Sequence, residues 1–214
     1  MIRDILIIKA DDGVIFDPDS VSSEIITEQA EYPGIRVYFE CSLAKVQKRL
    51  RLDIGFGDEI VPHPVTMDFS VLLEDQAIPS VLTYSLESSI AEKFEAIVKY
   101  NILTSRMKDF YDIWYISNNS EFNYQQMKDA VFTTFKNRLM PLGKYKIVFS
   151  ADYKLDESKN VQWKTFLNRN KIDCHLSFSE IVEKLEEFLL PICISEKEEQ
   201  SPVIGDPTYN HWIE

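Results

Sequence analysis

Long apolar runs are missing from this chain. The longest, such as "ILII" at Ile5–Ile8, fall far short of a bilayer span, so no membrane association is expected. In the opening "MIRDILIIKADDG" acids follow the few apolar residues at once and no small-residue cleavage site appears, so no secretory leader is read. Cysteine is limited to Cys41, Cys174 and Cys193, with no close pair and no metal-type spacing. That pattern fits reduced thiols in a cytoplasmic protein rather than a disulfide framework. Histidine is as sparse: His63 lies between prolines, His175 beside Cys174 and His211 near the end, so no histidine cluster is suggested. Positive charge is also short. With 23 Lys and Arg against 35 Asp and Glu the net charge is −12, which argues against a broad nucleic-acid-binding surface. A small basic pocket remains compatible, because cations cluster at Lys45–Arg51, Arg106–Lys108 and Lys136–Lys146. Such clusters are solvated faces or, less commonly, an anion site of nucleotide size.

What is present is ordinary globular material. The 214 residues are 45% hydrophobic and 12% aromatic, enough for one sizeable core or two small ones. "DDGVIFD" and "GIRVYFECSL" read as strands entered through glycine turns. In "RLRLDIGFGDEI", Leu50, Leu52, Ile54 and Phe56 alternate with Arg49, Arg51, Asp53, Gly55 and Gly57, which gives one dry and one wet face. Between the first two strands "VSSEIITEQAEY" fits either strand or helix, and "DPD" at Asp17–Asp19 reads as a turn. The first sixty residues therefore describe a small, mainly antiparallel sheet with a strand at the very start, which the two prolines of "VPHPVTMDF" end in a loop.

From Ser85 the period becomes helical. "SLESSIAEKFEAIVKY" carries a stripe of Ile90, Phe94, Ile97 and Val98; "SRMKDFYDIWYIS" puts Met107, Phe110 and Trp114 on one face; "NYQQMKDAVFTTFKNR" does so with Met127, Ala130, Val131 and Phe135. "VQWKTFLNRN" is a fourth helix. "SFSEIVEKLEEFLL" is a fifth, with Ser177 and Glu180 at capping-box spacing and Pro191 as its stop. The expected fold is α+β: a partial mixed or antiparallel sheet over residues 1–80, a helical half over 81–195 and an acidic, loose tail over 196–214.

Three places invite chemistry. Asp53 is either a surface aspartate or, with Gly55 and Gly57 beside it, a carboxylate facing a ligand; one carboxylate alone does not make a magnesium site. Lys93 falls at the edge of its helix's buried stripe, where it snorkels or reaches a phosphate. Glu87 falls inside that stripe or serves the helix's first turn. In "SRMKDFYDIW", Arg106 and Asp109 are spaced i,i+3 and Lys108 and Asp112 i,i+4, with Arg106 on the apolar side. These are surface pairs or an ordered charge network beneath a site.

Taken in order, "DDGVIFD", "EYPGIRVYFECSLAK", "LDIGFGDEIVPHP", "YSLESSIAEKFEAIV", "SRMKDFYDIW" and "TTFKNR" resemble the nucleotidyl transferase AbiEii/AbiGii toxin family of abortive-infection and toxin–antitoxin systems, over about residues 10–190. The resemblance implies a nucleotidyltransferase-type core with a helical C-terminal half. It also implies phage defence by transfer of a nucleotidyl group from an NTP with Mg²⁺, in some relatives to the 3′ end of tRNA, and an antitoxin regulator as genetic partner. Carried over residue by residue, Asp53 matches the later, metal-binding carboxylate of the core and Lys93 the helix lysine that contacts phosphate. Asp109 and Asp112 match the final acidic pair, and Arg106 is a further NTP contact. The family's Gly-Gly or Gly-Ser turn and following Asp-x-Asp strand have no counterpart, since neither dipeptide occurs in the chain. The expectation is a chain lacking that N-terminal portion, with Mg²⁺ weakly bound or absent and activity lost. The alternatives are an active enzyme recruiting Asp11, Asp12 or Asp58, and a non-catalytic interaction module. An incompletely covered dry face would favour a homo-oligomer.

Overall fold

A computed structural model gives the fold; its described residues are 1–26, 34–56, 60–72 and 76–194, together with the backbone of strands at 204–206 and 211–213. Gly57 and Asp58 lie outside them, as does most of the tail. The protein is an α+β chain in two units, Met1–Asp58 and Glu59–Glu214.

The first unit opens on a short helix, α1 (Ile2–Leu6), where a strand was expected. An antiparallel meander follows: β1 (Val14–Ile26), β2 (Gly34–Leu43) and β3 (Val46–Gly55), paired in the order β1-β2-β3. The ambiguous stretch after Asp19 is strand up to Ile26. Asp17–Asp19 forms a bulge inside β1 rather than a turn that ends it, because the register with β2 slips between Asp17 and Ser22. Local polar bonds hold that bulge: the Asp19 N–H donates to Asp17 Oδ1 at 2.9 Å, and Ser20 Oγ accepts the Glu40 N–H at 2.8 Å. Gly34 is required by close approach, since a Cβ there would sit 3.3 Å from the Ile54 carbonyl oxygen. The predicted alternation holds. Val37 pairs with Leu52 and Phe39 with Leu50, while Arg36 pairs with Asp53 on the opposite face. Burial in this unit is thin: among its described apolar residues only Leu6 and Val37 are fully buried, and Leu52 and Phe56 are exposed.

The second unit begins with a hairpin where the prolines suggested only loop. β4 (Val65–Asp68) pairs antiparallel with β5 (Ser80–Thr83). The β-branched and apolar alternation of "VTMD" suffices once a partner strand is reached. Next comes α2 (Leu86–Tyr100), whose N-cap Ser85 accepts the Ser88 N–H at 3.1 Å. Its stripe residues Ile90, Phe94, Ile97 and Val98 are all fully buried. α3 (Met107–Asn119) and α4 (Tyr124–Asn137) follow, then the short α5 (Tyr145–Val148) and α6 (Ala151–Lys154), α7 (Glu157–Asn170) and α8 (Phe178–Ile194). Phe94 sits between Phe135 of α4 and Phe149, with ring centroids 5.4 and 5.9 Å away. The buried Trp163 of α7 keeps its N–H satisfied on the Leu176 carbonyl at 2.9 Å.

The capping box of α8 forms reciprocally. Glu180 Oε2 accepts the Ser177 N–H at 2.7 Å, and Ser177 Oγ accepts the Glu180 N–H at 3.3 Å. Pro191 does not stop this helix, which runs on to Ile194 with the proline inside it. So close to the C-terminal end few backbone bonds remain to be lost, and Ile192 and Cys193 are still drawn into the core. The tail is not wholly loose: β7 (Ile204–Asp206) and β8 (His211–Ile213) pair with each other, and β7 pairs with β6 (Phe122–Asn123).

Because Phe94 is fully buried and in contact with two other rings, Phe94→Ala should cost about 3–5 kcal/mol of stability. Urea unfolding monitored by circular dichroism measures it; a loss well below that range would mean that the α2–α4 seam is not where the unit's stability resides.

Candidate functional site

Asp53 stands on β3 directly across from Arg36 of β2, and the wet face of the sheet is organised around that pair. Arg36 Nε donates to Asp53 Oδ1 at 2.7 Å and its Nη2 to Oδ2 at 3.0 Å, a bidentate fork that engages both carboxylate oxygens. Arg51 Nε approaches Oδ1 at 3.8 Å. On the other side of Arg36, Glu24 Oε1 accepts the Tyr38 hydroxyl at 2.9 Å, and the Arg49 guanidinium lies over the Tyr38 ring, 4.4 Å from its centroid. The hydrogen bonds from Arg36 hold the Asp53 carboxyl below the usual aspartate range, and the same bonds raise the guanidinium. A Cβ at Gly55 would meet nothing within 4 Å, so that position is open rather than crowded.

The other expected residues converge in the second unit. Lys93, one turn from the Ile97 side of the α2 stripe, turns its Nζ toward α3, where it lies 2.7 Å from Asp112 Oδ2 and 3.6 Å from Asp109 Oδ1. Arg106 Nε donates to Asp109 Oδ2 at 2.6 Å, and Lys108 Nζ to Asp112 Oδ2 at 2.5 Å. Both pairs read from i,i+3 and i,i+4 spacing therefore form, and Lys93 joins them into one network. Side-chain exposure rises from 7% at Asp109 through 18% at Asp112 and 25% at Lys93 to 54% at Arg106 and 71% at Lys108. The acids form the floor and two of the three cations the rim. Arg106 occupies the N-cap position of α3 rather than its apolar side, so the positive end of the helix dipole adds to the rim. Glu87 is half-buried in the first turn of α2, where it complements the dipole.

Two polar features of this unit escaped the sequence reading. Glu95 is buried with Arg138 Nη1 at 2.9 Å from its Oε2. Lys159 is buried at the start of α7, donating to the carbonyls of Ile102 and Thr104, and burial pulls its ammonium below the usual lysine range. A signal for the second existed, since Lys159 falls four residues before Trp163 on the same helix face.

Three cations around two acids leave the cluster one positive charge in excess. The model of the nucleotidyl transferase AbiEii toxins of type IV toxin–antitoxin systems matches residues 1–184. The chain belongs to that family. No curated protein and no solved structure gives a match. An AbiEii protein is one half of a toxin–antitoxin pair, so an antitoxin is its implied partner. Among the described residues no helix is long and apolar enough to cross a membrane.

A divalent ion, as phosphoryl-transfer chemistry usually requires, does not fit Asp53, Asp109 and Asp112 as they stand among the described residues of this AbiEii chain. No group of three or more His, Cys, Asp or Glu side chains gathers among them. Asp53 has both oxygens engaged by Arg36, and Asp109 and Asp112 are neutralised by three cations that would repel a metal.

The Arg36–Asp53 pair contributes its full stabilisation above the ordinary aspartate range and loses it as pH falls through the lower folded value. In a carbon-detected NMR titration Asp53 should therefore titrate below the ordinary aspartate range and return to it in Arg36→Leu. Titration of Asp53 within the ordinary range in the wild-type protein would show that the fork does not form in solution.

Proposed function

We propose that this chain is a toxin nucleotidyltransferase that binds the triphosphate of an NTP on the cradle of Lys93, Arg106 and Lys108. What supports the reading is the convergence of these cations over Asp109 and Asp112 in a member of a nucleotidyl transferase toxin family. In the proposed role Asp109 and Asp112 hold the cations in place in the free protein. The exposed Arg106 and Lys108 swing to the phosphates on binding, while the half-buried Lys93 contacts them from the sheltered side. Asp53 keeps the position of the core carboxylate that the family resemblance implies. The proposed acceptor is the 3′ end of tRNA, and the proposed setting is a reducing compartment, the cytoplasm, in keeping with three free thiols. Phage defence is the biological role the resemblance implies.

In this proposal the chain binds NTP but does not transfer the nucleotide by itself. Phosphoryl transfer depends almost wholly on positioning and on charge stabilisation, and no group of three or more His, Cys, Asp or Glu side chains gathers among the described residues to hold a metal for it. The engagement of Asp53 by Arg36 equally favours a second reading, in which the scaffold serves as a non-catalytic interaction module.

Titration calorimetry with ATP, GTP, CTP and UTP, with and without Mg²⁺, separates these readings. Binding of at least one NTP with weak dependence on Mg²⁺ is expected, and Lys93→Ala or Arg106→Ala should weaken it roughly tenfold to a hundredfold, the range for one charge-assisted hydrogen bond. Failure of every NTP to bind would leave the interaction module. Incubation of the chain with labelled NTP and tRNA should give no labelled RNA; incorporation abolished by Asp53→Asn would overturn the proposed inactivity.

A further inference from the structure

The segment that carries Arg106 into the cradle is held by polar groups rather than by burial of its own apolar side chains. After α2 the chain turns through Asn101, which adopts φ +30 and ψ −110, an unfavourable conformation for a residue with a side chain. Ile102 and Leu103 then point outward, 61% and 89% exposed. Neither side chain is buried. Instead, three backbone carbonyls between Asn101 and Thr104 accept hydrogen bonds from two side chains of the helices that follow. The Tyr153 hydroxyl of α6 donates to the Asn101 carbonyl at 3.2 Å. Lys159 Nζ of α7 donates to the Ile102 carbonyl at 2.8 Å and to the Thr104 carbonyl. Among the described residues no carboxylate comes within ion-pair distance of Lys159; Asp156, the N-cap of α7, attracts it from beyond that distance, and the Tyr153 ring centroid lies 5.8 Å from Nζ.

Burying an ammonium whose hydrogen bonds go only to carbonyls is costly, so such a lysine persists where those bonds fix something. What they fix lies on the direct route to the cradle. Thr104 is itself buried, its Oγ1 accepts the Arg106 N–H at 3.1 Å, and Arg106 then reaches Asp109 at 2.6 Å. We infer that Lys159, assisted by Tyr153, is a positioning residue that sets the 101–106 segment so that Arg106 and the first turn of α3 face Lys93. Lys159 touches no ligand in this scheme; it acts through Thr104 and Arg106. The NTP arm of the following test rests on the cradle reading of the preceding subsection, and the exchange arm does not.

The variants are Lys159→Met and Tyr153→Phe, with Lys164→Met, at an exposed position of α7, as the control. Amide hydrogen exchange followed by mass spectrometry should show residues 101–106 exchanging about tenfold faster or more in Lys159→Met, with protection in α2, α4 and α8 retained. Affinity for whichever of ATP, GTP, CTP and UTP binds the wild-type chain should fall about tenfold in Lys159→Met and not in the control. The same substitution should add almost nothing in an Arg106→Ala background, the non-additivity expected of residues acting in one chain. A merely structural lysine would give an additive loss. Unchanged exchange over 101–106, or equal acceleration in every helix, overturns the inference. Should Lys159→Met fail to fold, Tyr153→Phe, which removes one hydroxyl, decides by the same exchange readout. An Arg106→Ala protein that binds NTP like wild type overturns the cradle reading alone, while locally faster exchange in Lys159→Met would still uphold the positioning role.

Discussion

The stripe Ile90–Phe94–Ile97–Val98 on α2 decides the arrangement of the helical unit, because a helix can hide only one such band and must hide this one completely. Once these four side chains face the core, the 3.6-residue period leaves no choice about the positions between them. Lys93 is set at the border of the buried face toward α3, and Glu92 and Glu95 are set toward Arg138, 3.5 and 2.9 Å from its guanidinium nitrogens. Apolar burial thus aims the charged side chains, and the acids and bases need only local partners to complete the pattern.

The two acidic positions of interest are satisfied in different ways. Asp53 is tied by one rigid, planar fork across a pair of strands, which makes it part of the sheet's pairing. Asp109 and Asp112 share their charge among three cations of graded exposure, two of which end near solvent. Long side chains at the surface can exchange one anion for another at small cost, whereas a fork between neighbouring strands exchanges its partner only by giving up a cross-strand contact.

Features generated by near neighbours were legible in the sequence: the α2 stripe, the Ser177–Glu180 cap, and the Arg106–Asp109 and Lys108–Asp112 pairs. Helical period and i,i+3 or i,i+4 spacing dictate them directly. The extent of β2 was read residue for residue, since glycine entry and alternation mark it. The Arg36–Asp53 fork was not read, because it depends on the register of two strands joined by a two-residue connection. The β4–β5 hairpin was hidden because Val65–Asp68 looks like a fragment until its partner at Ser80–Thr83 is known. Lys159 was hidden for a deeper reason. Its acceptors are backbone carbonyls, which every residue carries, so no residue type announces them. Pro191 misled because its usual effect assumes a helix interior with more turns to come.

The meander of the first unit has a kinetic meaning. Each strand pairs with the next one along the chain, so the ends that must meet are never far apart and closing them requires little loss of chain entropy. Such a sheet assembles early. Yet with Leu6 and Val37 as its only fully buried apolar side chains among the described residues, little opposes its reopening. It is therefore a quick, shallow folding unit, one that visits its open form far more often than a strand layer backed by a dense core would.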